Sequence, residues 1–528
     1  MKTTYVSNVK SYTQTFFLNH ITETEIIQHI INLNSNKSTR SDSPSIKYIK
    51  MSSSVFAPFL KRIINMCIDE GVFPNDLKTA EIIPIFKKGN KTNPSNYRPI
   101  SILSPFSKIF ERHIYNNLIS FINKNNILHE YQYGFRKDSS TEDALAHIHE
   151  YLANKFENDD IISTIFIDLR KAFDTVDHTI LLTKLSYYGI RGNPAKLLNN
   201  YLSNRTQITT VNGVKSAPER VLCGVPQGSI LGPLFFLLYI NDMPNCSAFD
   251  VKLFADDACL IYCNKNQSEL EKAVNAELIK INTWMQINKL TVNYEKTNYM
   301  IHAKRTSKVN IQLTMNENTL IRVNEIKYLG VMLNEKLNWN THIDYIRTKI
   351  SKAYFILTKI RHYVDTRSLM LLYNSLIYSH LNYCICTWGG TSNLEPLTIM
   401  QKKITRIITF SDFLAHSRPL FYRLKMLNLQ DIYNFKLAVM FHKIHNNINA
   451  RKPGYVIKIE NLHSHYTRLS ASNNYYTNAR KTNIGNTTAI AKGIKIWRSI
   501  PNNLKSLSTN SFKQELKHIY IEKYKLEQ

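Results

Sequence analysis

Three aspartates stand where they can do more than solvate a surface. Asp168 ends the run at 161–168, Ile-Ile-Ser-Thr-Ile-Phe-Ile-Asp, and Asp256-Asp257 interrupts an apolar stretch at 251–263. The β-branched run reads as a buried strand, and the second stretch as a hairpin with both aspartates at its turn. If the two strands are neighbours, three carboxylates meet at one end of a sheet. Like charges so placed are costly unless cations lie between them. Hard oxygen donors suit Mg²⁺, which commonly takes one or two carboxylates and completes its shell with water and substrate phosphates; Mn²⁺ is the alternative. Two such ions about 3.5–4 Å apart can activate a 3′-hydroxyl and stabilise a pyrophosphate leaving group. An Asp-Asp pair is also ordinary turn chemistry. Apolar residues on both sides, Leu253-Phe254-Ala255 before and Ala258-Cys259-Leu260 after, set this one apart from a solvent-facing turn.

Two further segments carry residues of matching chemistry. Phe173 follows Asp168 where the strand turns toward a helix. A ring there can sit beneath a nucleotide sugar and clash with a 2′-hydroxyl, though taken alone it reads as a core aromatic. Gly224-Val225-Pro226-Gln227-Gly228-Ser229 precedes an apolar helix at 230–240. The glycines allow close backbone approach, and Gln227 can hydrogen-bond a base or sugar edge. The same pattern also serves as a generic loop-to-helix turn.

The elements that must hold these residues are legible from periodicity and punctuation. Residues 22–33 read as an amphipathic helix with Thr22 and Glu25 in capping-box spacing. A polar loop follows at 34–45, then a helix at 55–70 stopped by Gly71 and Pro74. A β-type run at 81–86 leads into a basic loop at 87–99. Helix is expected at 177–188, a hairpin at 207–215 around Asn212-Gly213, and a long helix at 267–290. Two strands around Tyr328-Leu329-Gly330 close this part. Strands returning to one another among helices indicate an α+β sheet, not a doubly wound one. From 341 to 445 the pattern is helical and basic, and the tail, 451–528, mixes loops with a last helix at 511–526.

Composition bounds the rest. The chain has 528 residues with 67 Lys+Arg against 40 Asp+Glu, a net charge of +27, and is 43% hydrophobic. That is a globular composition of a length that forms three or four lobes. The charge and the 11% aromatic content point to a polyanionic partner, since basic groups neutralise phosphates and rings stack on bases. Seven scattered cysteines argue against a disulfide framework and for a reducing compartment. No signal-peptide core precedes residue 17, and the longest apolar run, 234–240, is far too short to span a bilayer, so no membrane is expected.

Taken in order, these segments resemble the reverse transcriptase of non-LTR retrotransposons, most closely the jockey-like group, from about residue 22 to the end. The resemblance implies a right-hand polymerase: an N-terminal helical extension (1–75), fingers (76–160), a palm with an antiparallel sheet and the catalytic carboxylates (161–335), a helical thumb (336–450) and a C-terminal region of unassigned role (451–528). Ile82-Ile83-Pro84-Ile85-Phe86-Lys87-Lys88-Gly89 with Asn96-Tyr97-Arg98-Pro99-Ile100-Ser101 is similar to the opening fingers motif, which makes Lys87 and Arg98 candidates for holding the incoming triphosphate. Gln132-Tyr133-Gly134-Phe135-Arg136 resembles the next fingers motif, whose Gln132, Gly134, Phe135 and Arg136 would contact template. Asp168 with Phe173, Gly224 to Ser229, and Phe254 to Asp257 resemble the palm motifs. They cast Asp168, Asp256 and Asp257 as metal ligands, Phe173 as the steric gate, and Gln227 and Gly228 as nucleotide contacts. Lys296 matches a lysine that protonates the leaving pyrophosphate. Tyr328-Leu329-Gly330 resembles a primer-grip hairpin. In the thumb, Lys352, Lys359, Arg361, Lys402, Lys403 and Arg406 are candidates for tracking a duplex backbone.

The implied reaction is RNA-templated addition of dNTPs to a DNA primer. Its place of action would be the nucleus after translation in the cytoplasm, although no targeting signal is evident. Two departures stand out. Where the family carries glycines this chain has Arg40 and Ser43, a substitution that strains any turn needing positive φ. The residues before Thr22 are also too few for the endonuclease domain that usually precedes the polymerase, so an endonuclease acting in trans is expected. Cys384-Ile385-Cys386 lacks the spacing of a zinc knuckle. A catalytically inactive nucleic-acid-binding remnant is the alternative to an active enzyme, and an RNA-templated RNA polymerase is disfavoured by Phe173.

Overall fold

The computed structural model describes residues 8–40, 42–304, 309–446, 448, 456–459, 475–476 and 480–525. Ser41 of the polar loop and Arg451 at the head of the tail lie outside the described residues. The chain is mixed α+β. In its first half the strands are β1 (Thr79–Phe86), β2 (Tyr97–Ile102), β3 (Ile161–Ile167), β4 (Arg205–Val211), β5 (Val214–Lys215) and β6 (Glu219–Val221). After these come β7 (Asp250–Phe254), β8 (Asp257–Asn264), β9 (Asn298–His302), β10 (Thr314–Met315), β11 (Asn318–Thr319), β12 (Ile321–Arg322), β13 (Glu325–Tyr328) and β14 (Val331–Asn334).

The central sheet has the order β12-β9-β3-β8-β7. Strand β3 runs antiparallel to both its neighbours, with Ile167 opposite Ala258 on β8 and Phe166 opposite Asn298 on β9. Both faces of the sheet are buried, which is why β3 carries apolar residues on both of its faces. Alternation along the strands sends Ile165, Ile167, Ala258, Leu260, Tyr299 and Ile301 to one core and Ile162, Phe166, Cys259, Ile261 and Met300 to the other. The first core is shared with the N-terminal helices and with the apolar helix Leu231–Ile240. The second is shared with the helices after Asn340.

A second sheet stands beside this one. Strand β1 pairs antiparallel with β2 from Glu81 to Phe86 and parallel with β4 only from Thr79 to Ile82. Beyond Ile82 the β1–β2 ribbon is paired, among the described residues, to nothing but itself, and Pro84 lies opposite Pro99. Prolines are tolerated there because each strand has a side that needs no donor. The loop expected at 87–99 is therefore shorter than its composition suggested, because residues 97–102 are strand. The β4–β5 hairpin turns at Asn212 and Gly213, with φ of +51° and +83°. That is the turn which Asn-Gly demands.

Helix α1 (Glu23–Ile31) has the capping box at Thr22 and Glu25, both bonds present. A helix not expected from the sequence, α2 (Ile46–Met51), precedes α3 (Ser53–Glu70), which ends on Gly71 at φ +68°. Neither Arg40 nor Ser43 adopts positive φ. Arg40 instead donates to the Thr79 carbonyl at 2.9 Å and pairs with Asp42, so the loop is held by its side chains and the expected strain does not arise.

Helices His178–Tyr187, Leu231–Ile240 and Gln267–Ile287 are joined by a buried knot. The Lys184 ammonium meets Asp242 at 2.5 Å and the Tyr239 carbonyl at 2.7 Å, while the Trp284 indole donates to Asp242 at 3.0 Å. Removing one partner of such a buried pair costs about 3–5 kcal/mol. After Asn340 the described chain is helical, and the tail is more so than its sequence implied, with helices at Ala489–Ser499 and Thr509–Glu522. No helix among the described residues is long and apolar enough to cross a membrane.

Candidate active site

The β3–β8 register decides where the carboxylates lie. Ile167 pairs with Ala258 and Phe254 pairs with Asp257. Asp168 therefore leaves β3 beside the start of β8, next to the β7–β8 turn that carries Asp256. The turn is tight, with Ala255 at φ +56°. Burial pushes the Asp257 carboxyl up to about 6, with the Asp256 and Asp168 charges adding to it and Lys87 opposing. Asp256 is also raised, first by burial and then by Asp168, with Lys87 and Arg98 pulling the other way. Both turn aspartates thus feel Asp168, and the two basic residues from the β1–β2 ribbon bear on this pair.

Asp168 is the best-anchored of the three. Its Oδ2 accepts from Asn293 Nδ2 at 2.8 Å and lies 3.3 Å from the Lys296 ammonium. Its backbone is annealed to the segment after helix Gln267–Ile287. Asn293 N donates to the Asp168 carbonyl at 2.8 Å, Arg170 N donates to that of Thr291 at 2.9 Å, and Leu169 bridges Val292. Sequence reasoning missed Asn293, although its place three residues before Lys296 was the available signal.

The donor set fits divalent cations of the hard kind. Among the described residues no three ligand side chains close into a cage, yet the charge of Asp168 reaches both turn aspartates. An open set of oxygen donors, completed by water and phosphate oxygens, is what Mg²⁺ favours.

Around this centre the structure gathers some predicted residues and re-assigns others. Phe173 is stacked on Phe236, with ring centroids 4.5 Å apart, and meets the exposed ring of Phe135 edge-on at 6.0 Å. Its backbone carbonyl accepts from Val225 N at 2.9 Å, which ties it to the Gly224–Ser229 loop. In that loop Gln227 Nε2 donates to Asp174 at 2.8 Å, and the Gln227 carbonyl accepts from Ser101 N of β2 at 2.8 Å. The Gln227 amide is thus engaged by protein. Gly228 has φ +140°, and a Cβ there would lie 2.3 Å from the Ser101 carbonyl oxygen. Only glycine allows this approach.

Gln132 and Gly134 lie against the carboxylate turn. Gln132 is buried, and its Oε1 accepts from Gly134 N at 2.8 Å and Ala255 N at 3.0 Å. Tyr133 N donates to the Leu253 carbonyl, and Leu253 N to that of Tyr131. A Cβ on Gly134 would come within 2.3 Å of Ala255 N. These residues clamp the carboxylate turn and are inaccessible to a template; Phe135 alone in this motif is exposed. Arg136 donates to the His129 carbonyl at 3.0 Å and is half-buried. Tyr328 is buried, with its ring against Phe166. Leu329 and Gly330 form the β13–β14 turn with φ of +44° and +82°. The Leu329 carbonyl accepts from the Tyr383 hydroxyl at 2.8 Å.

Acidic side chains thus gather at one end of the central sheet, with Lys87 and Arg98 bearing on them. Residues 85–333 match the family described as "Reverse transcriptase (RNA-dependent DNA polymerase)". The chain is also similar to RNA-directed DNA polymerases of mobile elements. It is 27% identical over 429 residues to the "Probable RNA-directed DNA polymerase from transposon X-element" of Drosophila melanogaster, covering 78% of this chain and 46% of that protein. It is 28% identical over 457 residues to the "RNA-directed DNA polymerase from mobile element jockey" of the same species, covering 83% and 49%. The chain spans about half the length of these curated relatives.

Proposed function

We propose that this chain is an RNA-directed DNA polymerase that adds dNTPs to a DNA primer 3′-end on an RNA template. The observation that carries it is the meeting of Asp168, Asp256 and Asp257 with Lys87 and Arg98 at one end of the central sheet. In this reading residues 76–160 are fingers, 161–335 palm and 336–450 thumb, and the site of action is the nucleus. The three aspartates hold Mg²⁺, or Mn²⁺ in its place. Bound cations supply activation of the 3′-hydroxyl and stabilisation of the leaving pyrophosphate.

This chain's own residues do the rest. Lys87 and Arg98 receive the triphosphate from the ribbon side. Phe173, backed by Phe236, limits the space beneath the sugar. Gln227 holds Asp174 and, with Gly228, draws the loop against β2. Asn293 orients Asp168, and Lys296 stands beside it as the proton donor to pyrophosphate. Arg40 and Ser43, one of the two grounds for an inactive remnant beside the missing endonuclease, do not adopt positive φ. The test is primer extension on an RNA template with Mg²⁺, beside Asp256→Ala/Asp257→Ala. Extension by wild type alone supports the reading, and tight binding without extension by either protein refutes it.

A further inference from the structure

Far from the carboxylates, a cavity of about 840 Å³ opens between the start of the helical region and the tail. Its walls come from Trp339 before helix Asn340–Ile360, from Tyr433 and Asn434 on helix Leu429–His445, from Asn486, and from Lys492 and Lys495 on helix Ala489–Ser499. That volume lies in the range of small-ligand sites. Among the described residues none of its lining side chains is acidic, and amides and hydroxyls dominate the remainder.

Two of the lining residues carry a second signal. Trp339 and Tyr433 are almost wholly buried, at 3% and 2% exposure, yet the Trp339 indole Nε1 and the Tyr433 hydroxyl have no hydrogen-bond partner among the described residues. Buried polar groups are rarely left so, because each costs about 1–3 kcal/mol. The walls also leave no room for a substitute side chain. A Cβ on Gly390 would sit 2.7 Å from the Tyr433 hydroxyl and 2.4 Å from the Thr487 carbonyl oxygen. Paired lysines, amide edges, two aromatic residues with unmet hydrogen-bonding capacity and no carboxylate together match one chemistry: phosphate, sugar and base in a single ligand.

We propose that this cavity binds an unpaired nucleotide of the RNA, outside the polymerising centre. Lys492 and Lys495 take the phosphate, while Trp339, Tyr433, Asn434 and Asn486 face the base and ribose. The choice of RNA rests on the polymerase reading above; the cavity's chemistry does not.

The test uses the full chain and fluorescence anisotropy with a labelled single-stranded RNA, the matching single-stranded DNA and a blunt duplex, over a range of salt. For Lys492→Ala/Lys495→Ala the affinity for single-stranded RNA should fall about tenfold. The slope of log K against log salt should become shallower by about 0.7, because one fewer phosphate of a single strand is neutralised. Binding of the blunt duplex should stay as in wild type. Tyr433→Phe removes only a hydroxyl without a partner, so it should weaken RNA binding without lowering the melting temperature. Unchanged RNA affinity and salt slope in both variants overturn the proposal, and a larger loss for DNA than for RNA overturns the assignment to RNA. Wild-type protein that fails to extend primers while the variants still lose RNA affinity would sink the polymerase reading and leave the cavity standing.

Discussion

Asn293 and Asp168 are tied twice: the Asn293 side chain donates to the Asp168 carboxylate, and the Asn293 backbone N donates to the Asp168 carbonyl, each at 2.8 Å. The backbone bond does not depend on the side chain, so Asn293→Ala isolates the side-chain contribution. A hydrogen bond to a charged group is worth about 1.5–3 kcal/mol. Single-turnover primer extension by Asn293→Ala should therefore slow by about 10–100-fold, with little change in dNTP KM. A normal rate would show that Asp168 needs no such orientation.

The turn aspartates make stability depend on pH. Burial, then Asp256 and Asp168, raise Asp257 to about 6, against about 3.9 in the unfolded chain. The native state thus keeps a proton that the unfolded chain gives up, and stability falls as pH rises from about 4 to about 6 before levelling. Thermal melts of Asp257→Asn should lose that decline and run a few degrees higher above pH 6. Added Mg²⁺ should raise the wild-type melting temperature more at about pH 7.5 than at about pH 5, because the cation competes with the proton for the carboxylates. Equal metal shifts at both values would contradict the placement of the cations at these carboxylates.

Gln132 supplies one acceptor to two backbone donors. Replacing it with the similar-sized Met strands both, at a cost of about 1–3 kcal/mol each. Denaturant unfolding of Gln132→Met should show that loss, and extension should drop with it although the residue touches no substrate. Retained stability would mean the clamp is dispensable.

Phe173 stacks on Phe236 and borders the exposed Phe135. Truncation to Ala opens the space under the sugar. Ribonucleotide incorporation relative to deoxynucleotide should rise by about tenfold or more, read from competing dNTP and rNTP on one template. Unchanged discrimination would remove the gate from Phe173.

What the sequence disclosed about this centre follows from where each signal lives. Asp168 and Asp256-Asp257 were legible because strand periodicity brackets them, and adjacency of β3 and β8 needed no more than one pairing. Gln132 and Gly134 were not, since what they recognise is the backbone of Ala255, which has no side-chain signature. Tyr328 looked like a surface contact because its motif is short, while its burial depends on Phe166 from another strand. Strand β2 was hidden by Pro99, whose position opposite Pro84 is tolerated only in a ribbon free on its outer sides. The helix Ala489–Ser499 lacked strong start signals beyond Thr488, whose hydroxyl accepts from Ala491 N.

The β1–β2 ribbon has a mechanical corollary. Residues 131–134 are welded to the carboxylate turn by backbone bonds and by the Gly134–Ala255 approach, so that arm and the turn move as one rigid piece. Lys87 and Arg98, in contrast, ride on a two-stranded lever anchored to β4 only as far as Ile82. Compliance is concentrated there. Any closing stroke on a bound triphosphate would swing the ribbon about the Ile82–Ile83 junction, and the carboxylates would remain the stationary anvil.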